Sequence, residues 1–195
     1  MTTEATRRGR PRDALAHAAI LVASTELLAE TGYAAMSLGA VASRARVGKD
    51  TIYRRWSGKA ELVYEAVFTT TDTAPVPDTG TFEGDLTVLV QQLIDEFSTP
   101  AAAAALPGLL ADFAAAPELR ARIRDAFLAP AKQRLTDVFE RAQARGETGP
   151  SVEANLVLDA LVGIILFRLG ILGEPAGPQL ARSVAGIAAK GIEAR

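Results

Sequence analysis

Between Ser37 and Trp56 the chain has room for only two helices of about two turns each, joined by the tight turn Arg46-Val47-Gly48. Ser37 stands as an N-cap before the first segment, Leu38 to Ala45, and Lys49 to Trp56 forms the second. Helices this short are unstable in water alone, so they must lean on each other and on neighbours. Leu38, Val41, Ala42, Val47, Ile52 and Trp56 are spaced to make a small shared core. The same spacing leaves Lys49, Asp50, Thr51, Tyr53, Arg54 and Arg55 largely outside it. Two such helices behind a longer one predict helix-turn-helix geometry, the first supporting a second that suits a major groove.

The surroundings read as helix throughout. Residues 1–12 have no apolar periodicity and carry four arginines, which predicts a flexible basic arm. Asp13 can cap a helix running to about Thr31, ended by Gly32, and Lys59 opens another reaching about Thr70, so residues 13–70 form one head. A linker is expected over 71–83, where Pro75, Pro77 and Gly80 cluster, followed by a second domain over 84–195. There Leu86, Leu89, Val90, Leu93, Ile94 and Phe97 mark one face of an amphipathic helix, closed by Pro100. Ala101 to Ala115 reads as helix interrupted at Pro107-Gly108, and Pro117 opens a helix that Pro130 should kink. Val152 to Gly173 is apolar on most sides, and Leu180 to Ala194 is a last helix rich in small residues. Alanine and leucine abound and no strand pattern shows. The prediction is an all-α fold of about nine helices: a three-helix N-terminal head with the helix-turn-helix, and a helical C-terminal domain.

Net charge is −2, but it is unevenly placed: residues 1–70 hold ten Lys/Arg against seven Asp/Glu, and the remainder eleven against sixteen. A basic head on an acidic body suits a nucleic-acid reader with a second domain of another kind. Without cysteine there is no disulfide scaffold or thiolate metal site. The N-terminus shows no signal-peptide pattern. The most apolar stretch, Ala160 to Phe167, is eight residues between Asp159 and Arg168, against the roughly 20 a membrane span needs. It is read as a buried core helix, and the protein as cytoplasmic with no membrane partner.

The stretch MSLGAVASRARVGKDTIYRRWSGKAEL, Met36 to Leu62, closely resembles the DNA-binding signature of TetR-type repressors. The resemblance is strong over residues 12–66 and looser beyond, where Arg145-Gly146-Glu147 and Leu166-Phe167-Arg168-Leu169 look like one branch of the family. It implies a dimeric transcriptional regulator that binds a double-stranded DNA operator and carries a ligand pocket in its helical body. By that resemblance Ser37, Lys49, Thr51, Tyr53, Arg55 and Lys59 would contact DNA, mostly phosphates, with Thr51, Tyr53 and Arg54 closest to base edges. Ser37 and Lys59 also lie at helix N-termini, which attract phosphate. Asp50 can accept from a cytosine amine or simply favour the helix dipole. Arg10 and Arg12, in the basic arm, either enter a minor groove or belong to a solvated tail; Arg44 and Arg46 either touch phosphate or face solvent. Arg46 stands where the family usually has glycine, so a positive φ there would cost about 1 kcal/mol. Gly48 replaces a common capping serine, and Gly39 weakens its helix by about 1 kcal/mol relative to alanine.

Leu93, Phe97, Phe113, Phe127, Phe139 and Phe167 are candidates to line a cavity for a small apolar ligand, ordinary core being the alternative for each. Pro107 and Pro130 hinder close helix packing, which leaves concave apolar space, and the resemblance independently implies a pocket there. Leu161, Ile165, Val184, Ala185 and Ala188 can form a homodimer surface, the alternative being burial in the chain's own core. Arg168 should pair with a ligand anion or with Asp159, Glu153 or Asp95. His17, the lone histidine, reads as a plain helix residue, and Asp95, Glu96 and Asp112 as solvated faces. No catalytic set, phosphate loop, metal motif or cofactor signature accompanies them. The combined expectation is a repressor that binds a near-palindromic operator and is released when ligand moves the helix after Lys59. The other classes left open are a helical ligand-carrying protein or an enzyme with a degenerate head.

Overall fold

The computed structural model describes residues 10–69, 75–149 and 153–191, with the backbone alone at 10–12 and 134. Among them are nine helices and no strand: α1 Arg10–Ala35, α2 Leu38–Arg44, α3 Lys49–Tyr53, α4 Lys59–Phe68, α5 Phe82–Phe97, α6 Pro100–Ala115, α7 Pro117–Ala144, α8 Ala154–Ile171 and α9 Leu180–Gly191. Helix α1 begins at Arg10, ahead of Asp13, because Pro11 in a first turn forfeits only an N–H that has no helical partner. Its regular course ends at Gly32 (φ 76°, ψ 168°), the expected terminator.

Prolines act differently from expectation at two points. Pro100 opens α6, whose N-cap Thr99 accepts from Ala102 N at 3.1 Å, rather than closing α5. Helix α6 also runs through Pro107-Gly108 without interruption. Pro107 and Ala103, the residue whose carbonyl it leaves without a helical donor, are both exposed, so water serves that group. Pro130 does deform its helix: α7 becomes π-helical over Arg124–Leu128, immediately before it.

Two hydrophobic cores organise the chain. The first gathers Ile20, Leu28, Val41, Ile52, Trp56, Leu62 and Val63 of α1–α4 together with Ala105 and Leu109 of α6 and Leu119 and Ile123 of α7. The second joins Phe82, Leu86 and Val90 of α5 to Val138 and Phe139 of α7, Leu161 and Ile165 of α8, and Val184 and Ala185 of α9. Helices α4, α6 and the middle of α7 therefore stand between α1–α3 and the rest of the chain.

The expectation of a buried core helix fails for α8. Only 17% of its 18-residue span is buried, although its mean hydropathy is 1.9. Leu158, Leu161 and Ile165 face inward, while Leu156, Ala160, Gly163, Phe167 and Ile171 are exposed. By length and composition alone α8, and α1 from Asp13, could cross a bilayer, so the eight-residue measure understated α8. Helix α1 instead sets Ile20, Ala23, Leu27 and Leu28 into the first core.

Polar groups fasten the segment before α5. The fully buried Asp85 accepts from Thr79 N at 2.6 Å and Thr79 Oγ1 at 2.8 Å, and lies 3.6 Å from Arg145. Arg141 donates to the Pro77 carbonyl at 2.5 Å. Glu147 accepts from Phe82 N and from Arg145, across the left-handed Gly146 (φ 76°). The Arg145-Gly146-Glu147 turn is thus a staple between the end of α7 and the start of α5. Arg145, and then the Phe82 amide, hold the Glu147 carboxyl below its ordinary value of 4.5. A lowered folded value contributes stability that is complete above the unfolded value and lost as pH falls through the folded one. Stability followed by urea unfolding is therefore expected to decline below pH 4.5, and to decline less steeply in Glu147→Gln. Identical slopes would mean that this staple contributes nothing.

Candidate nucleic-acid interface and ligand cavity

Helix α2 starts where Ser37, exposed, accepts from Ala40 N at 3.1 Å. The turn that follows contains Arg46 at φ 55°, the one non-glycine residue with positive φ among those described. The arginine therefore carries the left-handed strain that its position implied. Arg46→Gly relieves about 1–2 kcal/mol of that strain and gives back about 0.5–1 through a freer unfolded chain, so a net gain of about 0.5–1 kcal/mol in chemical unfolding is expected. Gly48 caps α3 through its backbone only. At Gly39 a Cβ would lie 3.1 Å from Lys49 Cε, so the glycine lets the Lys49 stem lie across α2.

Ile52 and Trp56 fix α3 from beneath, and Lys49, Asp50, Tyr53 and Arg54 are exposed with Thr51 beside them, half-buried. Tyr53, 57% exposed, is a large ring held open to solvent. Asp50 occupies the first turn, where a carboxylate suits the helix dipole. Arg55 and Lys59, expected at phosphate, and Arg44, left open between phosphate and solvent, have partners inside the protein. Arg55, its side chain only 15% exposed, is bound to Asp13 and donates to the Thr51 carbonyl at 3.1 Å. Lys59 donates to the Tyr33 carbonyl at 3.0 Å and lies 4.2 Å from the centre of that ring. Arg44 forms a fork with Glu30 at 2.7 and 2.6 Å, and its guanidinium holds the Glu30 carboxyl below the usual range. Each is drawn to a fixed acceptor that sequence spacing does not reveal. Arg10 and Arg12 fall in the first turn of α1, their side chains outside the described set, as are residues 1–9 of the expected arm.

His17 is more than a plain helix residue. It stacks on Trp56 at 5.3 Å and 16°, with Nε2 3.0 Å from Glu65, which also accepts from Trp56 Nε1 at 2.6 Å.

Between the two cores lies a cavity of about 360 Å³. Its walls come from α4 (Tyr64, Phe68), α5 (Leu93, Phe97), α6 (Leu106, Leu109, Phe113), α7 (Phe127, Leu135) and α8 (Leu158, Leu161, Leu166). It is apolar apart from Gln92, Glu96 and the paired Lys132 and Asp159. Leu93, Phe97, Phe113 and Phe127 thus meet as the sequence suggested. Phe139 does not: it packs edge-on against Phe82 in the second core, 5.2 Å between centres. Phe167 points outward, 53% exposed. Tyr64 and Phe68 were missed, although an aromatic pair at i, i+4, off the line of Leu62, Val63 and Ala66, was a usable signal. Arg168 pairs with Glu174 at 2.6 Å, a carboxylate outside the expected set.

Leu161, Ile165, Val184 and Ala185 are buried in the chain's own core and Ala188 is half-buried, so they do not form an outer surface. The exposed apolar residues on those helices are Leu156, Phe167 and Ile171 of α8 and Ile187 of α9, with Ala160 and Gly163 between.

Comparison with known proteins agrees with this architecture. Residues 20–66 match the family described as "Bacterial regulatory proteins, tetR family", and residues 76–188 match "Tetracyclin repressor-like, C-terminal domain". The chain is 32% identical over 189 residues to the uncharacterized HTH-type transcriptional regulator YdeS of Bacillus subtilis (strain 168), covering 96% of this chain and 95% of that one. It is 34% identical over 179 residues to the DNA-binding transcriptional repressor TetR of Mycobacteroides abscessus, covering 86% of each. In fold it resembles the crystal structure of the TetR family transcription regulator SCO0332, with a TM-score of 0.73, 24% identity, and coverage of 91% of this chain and 98% of that one.

Proposed function

The chain belongs to the tetR family of bacterial regulatory proteins, and from that membership we propose a dimeric repressor that reads a palindromic operator and is released by a small apolar ligand. Residues 13–70 serve as the reading head, 71–83 as a linker and 84–195 as the ligand and dimer domain. Lys49, Thr51, Tyr53 and Arg54 present the face that meets the major groove, with Asp50 available to a cytosine amine and Ser37 near phosphate. Arg55 and Lys59 serve the interface by holding α3 and α4 in place, and Arg10 and Arg12 enter from the flank.

The observation that carries this reading is the double membership of α4. Its first residue, Lys59, is bonded to the head, and its Tyr64 and Phe68 form part of the cavity wall. A molecule filling a mostly apolar space of about 360 Å³ presses on the same rigid helix that carries the recognition unit. A ligand favouring the spread state by about 3 kcal/mol would weaken operator binding roughly a hundredfold. The exposed stripe of α8 and α9 supplies the surface for a second copy, and the protein works in the cytoplasm, where its DNA is; no catalytic role is assigned.

Selection from random-sequence DNA with the pure protein, read by gel shift near physiological salt against non-specific competitor, tests the reading. A palindromic consensus is expected. Enrichment of nothing beyond salt-sensitive, non-specific binding would overturn it in favour of a ligand-carrying protein.

A further inference from the structure

The wall of the cavity has a second side. Leu106, Leu109, Leu110 and Phe113 of α6 line the space, while Gly108 and Asp112 lie on the far flank of the same helix. Against that flank sits Tyr33. A Cβ on residue 108 would lie 2.1 Å from Tyr33 Cδ1 and 2.6 Å from Cγ, so the ring occupies the space any side chain there would fill. The Tyr33 hydroxyl donates to Asp112 Oδ2. In the head, Lys59 lies 4.2 Å from the ring centre and grips the Tyr33 carbonyl. Four residues on, Ser37 caps α2, so Tyr33 sits at the entrance to the helix-turn-helix.

We propose that Tyr33 is the latch by which the state of the cavity reaches the reading head: ring on Gly108, hydroxyl on Asp112, it ties the start of α2 to the helix forming the cavity wall. The proposal rests on the ligand-released reading above and adds to it the contact by which α6 acts on the head. A guest that displaces α6 displaces Gly108 and Asp112 with it, and the hydroxyl bonded to Asp112 makes Tyr33 follow that shift. Burial, together with the Asp112 carboxylate, pushes the Tyr33 hydroxyl well above its ordinary range, so it remains a donor at working pH. The hydroxyl is bonded to Asp112, outside the residues that line the cavity, which makes Tyr33 a positioning residue.

The test uses the full chain, an operator recovered by selection, and 1-aminoanthracene as a neutral aromatic probe of the cavity. In the wild type, saturating probe is expected to weaken operator binding about tenfold or more. In Tyr33→Phe, which keeps the ring and loses only the hydroxyl, probe and operator alone should each bind within about threefold of wild type, while the probe's effect on operator binding falls below about threefold. Asp112→Asn still offers an oxygen to the phenol and keeps the effect, whereas Asp112→Leu loses it. Equal probe effects in wild type and Tyr33→Phe overturn the latch and leave the regulator reading standing. A probe that occupies the wild-type cavity without moving operator affinity, or that does not bind, overturns the ligand-released reading and the latch with it.

Discussion

Trp56→Ala is expected to cost about 3–5 kcal/mol of stability and to abolish operator binding. Trp56 is 1% exposed and is the largest side chain in the head's core. Truncation leaves a void that α2, α3 and α4 cannot close without moving the recognition helix. It also removes the 2.6 Å donor to Glu65 and the ring on which His17 stacks, so the three-residue bridge joining α1, the segment after α3, and α4 comes apart. Trp56→Phe keeps most of the packing and loses the N–H, so about 1–2 kcal/mol is expected there. Trp56 is the chain's single tryptophan, which makes circular dichroism and amide exchange over α2 and α3 the suitable readouts. If Trp56→Ala unfolds within 1 kcal/mol of wild type, roughly the scale of one lost hydrogen bond, the head is held by something else.

What could be read ahead of the structure follows from how local each cause is. The Ser37 cap, the apolar spacing from Leu38 to Trp56 and the Gly32 stop are set within a few residues, and they stand as the sequence implies. The strain at Arg46 was legible only against a family pattern, because nothing in the residue itself calls for φ 55°. Charges were harder. Arg55 occupies a position that local spacing leaves outward and Lys59 opens a helix, but Asp13 and the Tyr33 carbonyl, 42 and 26 residues away, capture them. Half-apolar helices were hardest of all. Phe97, Phe113 and Phe127 met at the cavity, yet residue type alone could not tell that Phe139 turns into the second core or that Phe167 turns outward. On α8, apolar on most sides, periodicity chose Leu161 and Ile165 for a partner chain where packing against α5, α7 and α9 buries them.

The outward side of α8 makes the second large prediction. Leu156, Ala160, Gly163, Phe167 and Ile171 recur at i, i+4, i+7, i+11 and i+15, one stripe along the helix, and Ile187 on the neighbouring α9 is 69% exposed. Soluble chains seldom leave such a face to water. Nothing lies within 4 Å of a Cβ built on Gly163, so a facing helix can come close there. Phe167→Asp combined with Ile187→Asp would bury carboxylates without partners in the proposed dimer, and sedimentation equilibrium should then find monomer. The fold should survive, because both side chains are exposed in the single chain. Operator affinity should fall by about a thousandfold or more, as one head reads one half-site. Leu161→Ala is the contrasting case: Leu161 belongs to the chain's own core, so about 2–5 kcal/mol of stability goes while the oligomeric state of the folded fraction stays the same. A double-aspartate variant that remains dimeric would place the interface elsewhere, and a monomer with unchanged operator affinity would show that the operator is read one half-site at a time.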